Sequence, residues 1–322
     1  MMQKARLRFL GTGTSQGVPI IGCRCEKCLS TDSRDKRFRS AAYVEYCGLQ
    51  ILVDAGPDFR SQMIAAGIGH LDAILLTHNH KDHTGGLDDV RALNYIDRRA
   101  AEIYCEPRVL ETLREEYSYA FAQAKYPGSP EWKIHLIDDS PFIVYPDRDD
   151  RELTWVHDVG YRYQLPDGSL VPTGNPITDA ERADDPMLEG LSGKEFHGER
   201  GNGAEIIPVR GLHGTMPVLG YRFGNIAYIT DMSVLPESEY RKLEGLDHLT
   251  LNTVGYKKHH SHFSLDEALE IAGRIGAEHT WLTHLSHTFP CHEAFEEELA
   301  RLCAERGIRS DVRPAYDGLV IE

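Results

Sequence analysis

No stretch of this 322-residue chain strings together the eighteen or so apolar residues that a membrane-crossing helix requires, although 41% of its residues are hydrophobic. The opening residues, "MMQKARLRFLGTG", lack the apolar run of a secretory signal and read as a strand that begins almost at once. Both absences lead us to expect a cytoplasmic protein without a membrane partner. Basic charge is also scarce: 35 Lys and Arg stand against 50 Asp and Glu, a formal net charge of −15. Affinity for nucleic acid comes largely from neutralising phosphates, so this balance disfavours a large RNA or DNA partner and leaves a small anionic substrate allowed. There is no Lys/Arg block; the densest basic segment, "RDKRFR" at Arg34 to Arg39, reads as a solvated loop. The seven cysteines, in a compartment that keeps thiols reduced, read as ligands or small buried hydrophobes and not as a disulfide frame.

What is present is enough apolar sequence for a sizeable core, read as one domain over residues 1–322. "AAYVEYCGLQILVDAG" reads as two strands about a Cys47-Gly48 turn, the second ending at Asp54. "DFRSQMIAAGI" has helical spacing and stops at Gly67, and further helical patterns lie in "DDVRALNYIDRRA" and "EPRVLETLREEYSYAFAQA". From about 145 to 203 the chain turns polar and rich in Gly and Pro, which marks an insertion, a surface excursion or a lid; "YRYQLPDGSLVPTG" within it reads as a hairpin. Strands resume in "AEIIPVRGLHG", "VLGYRFGNIAYITD" and "HLTLNTVG". After them come the helix "SLDEALEIAGRIG", the strand "HTWLTHLSH" and the helix "CHEAFEEELARLCAERG". Strands with interleaved helices in both halves predict an α/β protein, two sheets face to face with helices outside. A device repeats: a short apolar strand whose end presents a polar residue, His78 after "ILLT", Asp231 after "AYIT" and His284 after "WLT".

"LLTHNHKDHTGGLDD" places His78, His80, Asp82 and His83 within six residues. Side chains alternate along an extended segment, so His78 and His80 can face one ion while Asp82 and His83, past the turn, face a second. Mixed imidazole and carboxylate donors suit first-row divalent ions, zinc or manganese among them. Two ions need more ligands, and the best further candidates are the other strand-end residues His213, Asp231 and His284. Asp231 is the natural bridge, because a carboxylate can give one oxygen to each ion. "GCRCEKC" carries Cys23, Cys25 and Cys28, three thiols on a short loop; a structural zinc needs one more ligand, from His287, His292, Cys47 or Cys291.

With "THNHKDH", His213, Asp231, His284 and the early Asp54 in view, the chain resembles the metallo-β-lactamase superfamily. The resemblance implies a four-layer αββα sandwich with two divalent metal ions, Zn or Mn, at one edge. It implies His78, His80 and His213 on one ion and Asp82, His83 and His284 on the other, with Asp231 between them. Asp54 would orient a ligand instead of being one. "GTGTSQGVP" with "GCRCEKC" and "THLSH" is similar to the PhnP-like branch, the phosphoribosyl 1,2-cyclic phosphate phosphodiesterases. That branch implies His287 as the fourth ligand of the structural zinc, and His262 in "HHSHFS" as the general acid.

The implied activity is hydrolysis of a small, cyclic or open phosphodiester by a hydroxide bridging the two ions, with Asp82 or Asp231 orienting it and His262 protonating the leaving oxygen. Lys257 and Lys258 are candidates for holding the substrate phosphate. Three alternatives stand beside this reading: a tRNA 3′-processing endonuclease, a pyrroloquinoline-quinone-associated relative, and a non-catalytic metal-binding protein of the same fold. A homodimer stays open.

Overall fold

In the computed structural model the described residues are 4–122, 125, 128–146 and 203–322, with the backbone of three strands between them, Glu152–Val156, Gly160–Gln164 and Leu170–Pro172. Two seven-stranded mixed sheets pack face to face with helices on both outer sides, the αββα architecture expected. The first sheet runs in the order Val320–Ile321, Arg6–Gly11, Ala41–Tyr46, Leu49–Val53, Ala73–Leu75, Ala101–Cys105, Trp132–Leu136. The second runs Phe142–Val144, Ala204–His213, Met216–Phe223, Ile226–Tyr228, His248–Asn252, His279–Thr283, Asp311–Pro314.

The two sheets share a plan. In each, the first four strands pair antiparallel and the rest parallel. The switch falls at Leu49–Val53 in one sheet and at Ile226–Tyr228 in the other, and just beyond these strands stand Asp54 and Asp231. Parallel strands send their carboxyl ends to the same edge, where ligands collect in open sheets of this kind.

Period-two alternation explains why these strands are apolar throughout. Leu49, Ile51 and Val53 face the core between the sheets, while Leu52 faces the outer helices. Ile226 and Tyr228 likewise face inward and Ala227 outward. A strand covered on both faces reads as a continuous hydrophobic run. The outer layers are the helices Phe59–Ala66 and Pro107–Glu116 on the first sheet, and Leu265–Ile275 and His292–Arg306 on the second. Leu265–Ile275 starts at a capping box, in which Ser264 and Glu267 satisfy each other's backbone N–H, and ends at Gly276 with φ 67°. Its buried face, Leu265, Ala268, Leu269 and Ala272, seats it on the sheet.

The hairpin expected in "YRYQLPDGSLVPTG" is there: Gly160–Gln164 pairs antiparallel with Leu170–Pro172, and Glu152–Val156 adds a third strand. The rest of the proposed 145–203 insertion, and with it a lid role, falls mostly outside the described residues. Strands Ala101–Cys105 and Trp132–Leu136 were not among the expected elements; the second is a half-buried strand at the edge of the sheet. The "RDKRFR" segment corrects the sequence reading. Arg37 is buried, donating to Thr12 Oγ1 at 2.7 Å, while Arg34 and Arg39 pair with Asp32 and Asp58. Among the described residues no helix is long and apolar enough to cross a membrane.

Candidate metal centre

Asp54 anchors the site. Its backbone sits in the left-handed region at φ 64°, and its carboxylate is fully buried. It accepts from Thr77 N at 2.9 Å and from Thr77 Oγ1 at 2.9 Å, and from His83 Nδ1 at 2.6 Å. With Nδ1 committed to Asp54, His83 presents Nε2 to the site. His83 lies on the one-turn helix Lys81–Thr84, which rests directly on the loop after Asp54: a Cβ at Gly56 would collide with the Asp82 carbonyl oxygen. Strand Met216–Phe223 of the second sheet ties down the segment before His78, through Leu219 N to Thr77 O at 3.1 Å and Tyr221 Oη to Leu76 O at 2.7 Å.

Asp231 is the hub, and it too is left-handed, at φ 55°. Its Oδ2 lies 3.2 Å from His83 Nε2, 3.4 Å from His262 Nε2 and 3.8 Å from His78 Nε2. Its Oδ1 lies 3.1 Å from His284 Nε2 and accepts from Thr230 Oγ1 at 2.6 Å. His284 is left-handed as well, at φ 57°. Positive φ is uncommon outside glycine, and Asp54, Asp231 and His284 are three of the five non-glycine residues that adopt it among the described residues, all three at strand ends around one site. On one side of Asp231, Asp82, His83 and His284 bring ligand atoms within 4.8 Å of one another and of the aspartate. On the other, the rings of His78 and His80 lie 4.7 Å apart, and those of His80 and His213 4.9 Å. His213 Nδ1 is held on Asp231 O at 3.1 Å.

The donors fit divalent ions. The buried atoms His78 Nε2, His83 Nε2, His262 Nε2 and both ring nitrogens of His284 have no hydrogen-bond partner among the described residues. Several approach Asp231 closely without hydrogen-bond geometry, as groups aimed at a common cation do. Leaving such an atom unsatisfied costs about 1–3 kcal/mol, so a cluster of them needs a ligand. Burial pushes His78 well below its ordinary range and takes His213 and His284 down to about 4, which keeps these rings neutral and able to bind metal. Burial works against charge on His83 also, but Asp231, Asp82 and Asp54 outweigh it and hold its pKa well above normal. Carboxylates that stabilise an imidazolium in a buried pocket would stabilise a divalent cation there too.

A second cluster closes behind the first. Cys23, Cys25 and Cys28 bring their sulfurs to 3.3, 3.5 and 3.8 Å from His287 Nδ1. Of the four sequence candidates, His287 is therefore the one that meets the thiols. His292 instead lies 3.2 Å from Arg37, with its backbone N–H on Asp35. The Cys28 backbone N–H, with help from His287, draws the Cys25 thiol down to about 6, while burial raises that of Cys28 to about 11. Lys27 Nζ donates to Pro290 O at 2.7 Å, bracing the thiol loop against the His287 loop, and Lys36 Nζ donates to Cys28 O at 3.1 Å, tying the end of the thiol loop to the segment that follows it. Cys3His is a closed structural zinc set.

His78, His80, Asp82, His83, His213, Asp231 and His284 thus come together in the first cluster and Cys23, Cys25, Cys28 and His287 in the second, while the other thiol-site candidates His292, Cys47 and Cys291 are not in that set. His262 stands at the edge of the first, its ring 4.6 Å from those of His213 and His284. Thr77, Thr230 and Ser261, which hold these groups in place, were missed; single hydroxyl residues carry no pattern that spacing could reveal.

A two-sheet sandwich with a histidine–aspartate centre at the carboxyl edge, and a Cys3His cluster behind it, defines the class. The family described as "Beta-lactamase superfamily domain" matches residues 50–155 and 177–285. A crystal structure of "a new diphosphatase from the PhnP family" superposes with a TM-score of 0.71 at 31% identity, covering 99% of this chain and 98% of that one. The chain belongs to the metallo-β-lactamase superfamily and to its PhnP-like branch. It is also 28% identical over 268 residues to ribonuclease Z of Streptomyces avermitilis, covering 78% of this chain and 82% of that one. It is 33% identical over 317 residues to an octanoyltransferase of Porphyromonas gingivalis; the match covers 98% of this chain but spans only 51% of that relative.

Proposed function

We propose that the protein is a metal-dependent hydrolase of a small phosphodiester, with a ribose cyclic phosphate as the preferred class. The observation that carries this reading is the ring of imidazole nitrogens around Asp231 that have no hydrogen-bond partner among the described residues. His78, His80 and His213 would hold one divalent ion, zinc or manganese, and Asp82, His83 and His284 the other, with Asp231 shared and a structural zinc on Cys23, Cys25, Cys28 and His287. When bound, such a pair supplies Lewis-acid chemistry, acidifying a water and neutralising charge on a phosphoryl oxygen.

The chain's own groups do the rest. Asp54 fixes His83, and Thr77 Oγ1, 2.9 Å from His78 Nδ1, steadies that ring. Asp82 or Asp231 accepts from the attacking water and aligns it. His262, 13% exposed and facing the site through Nε2, gives a proton to the departing oxygen. Lys257 and Lys258 remain candidates for the substrate phosphate; Lys258 now lies 3.6 Å from Glu267 and is largely exposed. The net charge of −15 supports a small substrate over an RNA, whose affinity would depend on basic contacts.

A second reading, cleavage of a diphosphate, is favoured by the 31% identity to the PhnP-family diphosphatase. The octanoyltransferase name is not carried over, since this chain spans 51% of that relative. The test is turnover by metal-reconstituted protein on ribose cyclic phosphates, nucleotide diesters, a nucleoside diphosphate and a precursor tRNA. Turnover of the small diesters supports the proposal; activity confined to tRNA or to the diphosphate overturns it.

A further inference from the structure

The geometry points to His259 as a positioning residue for His262, acting through Ser261, an inference that rests on the phosphodiesterase reading above. The loop that carries the three residues is pinned at its ends: Thr253 N donates to Thr283 O at 3.0 Å, Phe263 N to Met232 O at 2.8 Å and Leu265 N to Gly255 O at 2.9 Å. Ser261 is 6% exposed, His259 exposed. Inside this frame three polar atoms form a triangle. His262 Nδ1 lies 3.1 Å from Ser261 Oγ and 3.3 Å from His259 Nδ1, and Ser261 Oγ lies 3.2 Å from His259 Nδ1.

A neutral imidazole offers one donor and one acceptor nitrogen, and a hydroxyl has one hydrogen to give. The triangle could run either way, but the Ser261 backbone N–H also points at His259 Nδ1, at 3.4 Å, which makes that nitrogen an acceptor: the Ser261 hydroxyl then donates to His259 Nδ1, and His262 Nδ1–H donates to Ser261 Oγ. His262 Nε2 is then aimed at the site, 3.4 Å from Asp231 Oδ2 and without a hydrogen-bond partner among the described residues. His259 thereby decides which way the Ser261 hydroxyl points, and the hydroxyl decides how the His262 ring is held. In the reaction His262 enters as the imidazolium, with a hydrogen on each ring nitrogen: the phosphorus–oxygen bond to the leaving group breaks with its electron pair on oxygen, that oxygen takes the proton from Nε2, and the ring is left neutral with Nδ1–H still on the Ser261–His259 chain. Remove His259 and the hydroxyl can turn to donate to His262 Nδ1, which releases the ring from its aim. Such support of a functional ring by groups behind it is a recurrent cause of rate loss without loss of fold.

The test uses His259→Ala, His259→Asn and Ser261→Ala in the metal-loaded protein. The Asn amide occupies much the same place as Nδ1 and serves as the conservative rescue. For His259→Ala, kcat on a ribose-type diester falls roughly fivefold or more, at least about threefold more than on a nitrophenyl diester, with KM little changed and most of the loss restored by His259→Asn. Independently of turnover, ¹⁵N-histidine NMR, with His262 assigned by its absence in His262→Gln, reads a protonated Nδ1 in the wild type and a mixture of tautomers in His259→Ala and Ser261→Ala. Equal falls on both esters, or an unchanged His262 tautomer in the variants, overturns the proposal. Failure of the wild type on every small diester defeats the phosphodiesterase reading instead, and the NMR result still decides the role of His259 and Ser261.

Discussion

Asp54 Oδ2 and His83 Nδ1 meet at 2.6 Å, and both side chains are fully buried. The other hydrogen bonds to that carboxylate come from Thr77, whose N–H and hydroxyl both donate, so Asp54 acts as an acceptor throughout. The pair fixes which nitrogen of His83 faces the ligand cluster. Asp54→Asn presents an amide that can donate to Nδ1 and turn the tautomer round. Metal affinity should fall about 10–100-fold, the usual effect of losing such a partner, with secondary structure intact. Titration with a competing chelator measures it; unchanged affinity would falsify the orienting role.

Asp231→Ala and His80→Ala should each abolish diester turnover while the fold survives, because these residues serve the edge of the sheets and not their interior. Circular dichroism and metal analysis alongside the assay decide it. A variant that binds less metal yet turns over as fast removes the two-ion reading.

Elemental analysis should find about three metal ions per chain. Cys25→Ser should lose one zinc and keep the other two ions. Zinc at such sites is worth on the order of 10–16 kcal/mol coupled to folding, so the thermal midpoint should fall as well. If every cysteine variant keeps its zinc and its midpoint, the Cys3His cluster is no metal site.

His262→Ala should slow a ribose-type ester by at least roughly tenfold and barely slow a nitrophenyl ester, since proton donation matters most for a poor leaving group. Because His262, with His213 and Asp231, also forms a group able to hold an ion, metal content is the second readout. Loss of an ion, or equal losses on both esters, would show ligation or substrate positioning in place of proton transfer.

Away from the site, His70 places Nδ1 2.9 Å from Asp97 and Nε2 3.2 Å from Asp72, so both nitrogens face carboxylates. Burial opposes its charge, but these hydrogen bonds raise its pKa to about 9. A raised folded-state pKa means stabilisation fully present below the unfolded value, about 6.5, and lost as pH rises through about 9. Arg99, 3.8 Å from Asp72, competes for the same carboxylate and limits the gain. His70→Asn should cost about 2 kcal/mol more at pH 6 than above pH 9.5. Urea unfolding at both pH values checks this; a pH-independent difference would sink it.

The sequence by itself determined the ligand chemistry. "THNHKDH" and "GCRCEKC" are local, and donors packed within a few residues betray themselves by spacing alone. It also fixed the layered α/β class, because strands buried on both faces must read as unbroken apolar runs, as "LQILV" and "NIAYIT" do. Tertiary structure decided what closes each cluster. The sequence offered His287, His292, Cys47 and Cys291 to the thiols on equal terms; parallel pairing of His279–Thr283 with His248–Asn252 and the left-handed turn at His284 bring His287 to them, while Arg37 and Asp35 engage His292. The same holds for the shared place of Asp54 and Asp231, one at the switch from antiparallel to parallel pairing in each sheet. Their partners Thr77 and Thr230, and the triangle of His259, Ser261 and His262, could not be read in advance, because whether a lone hydroxyl finds a partner depends on how the backbone is held around it, and that is set by packing between segments far apart in the chain.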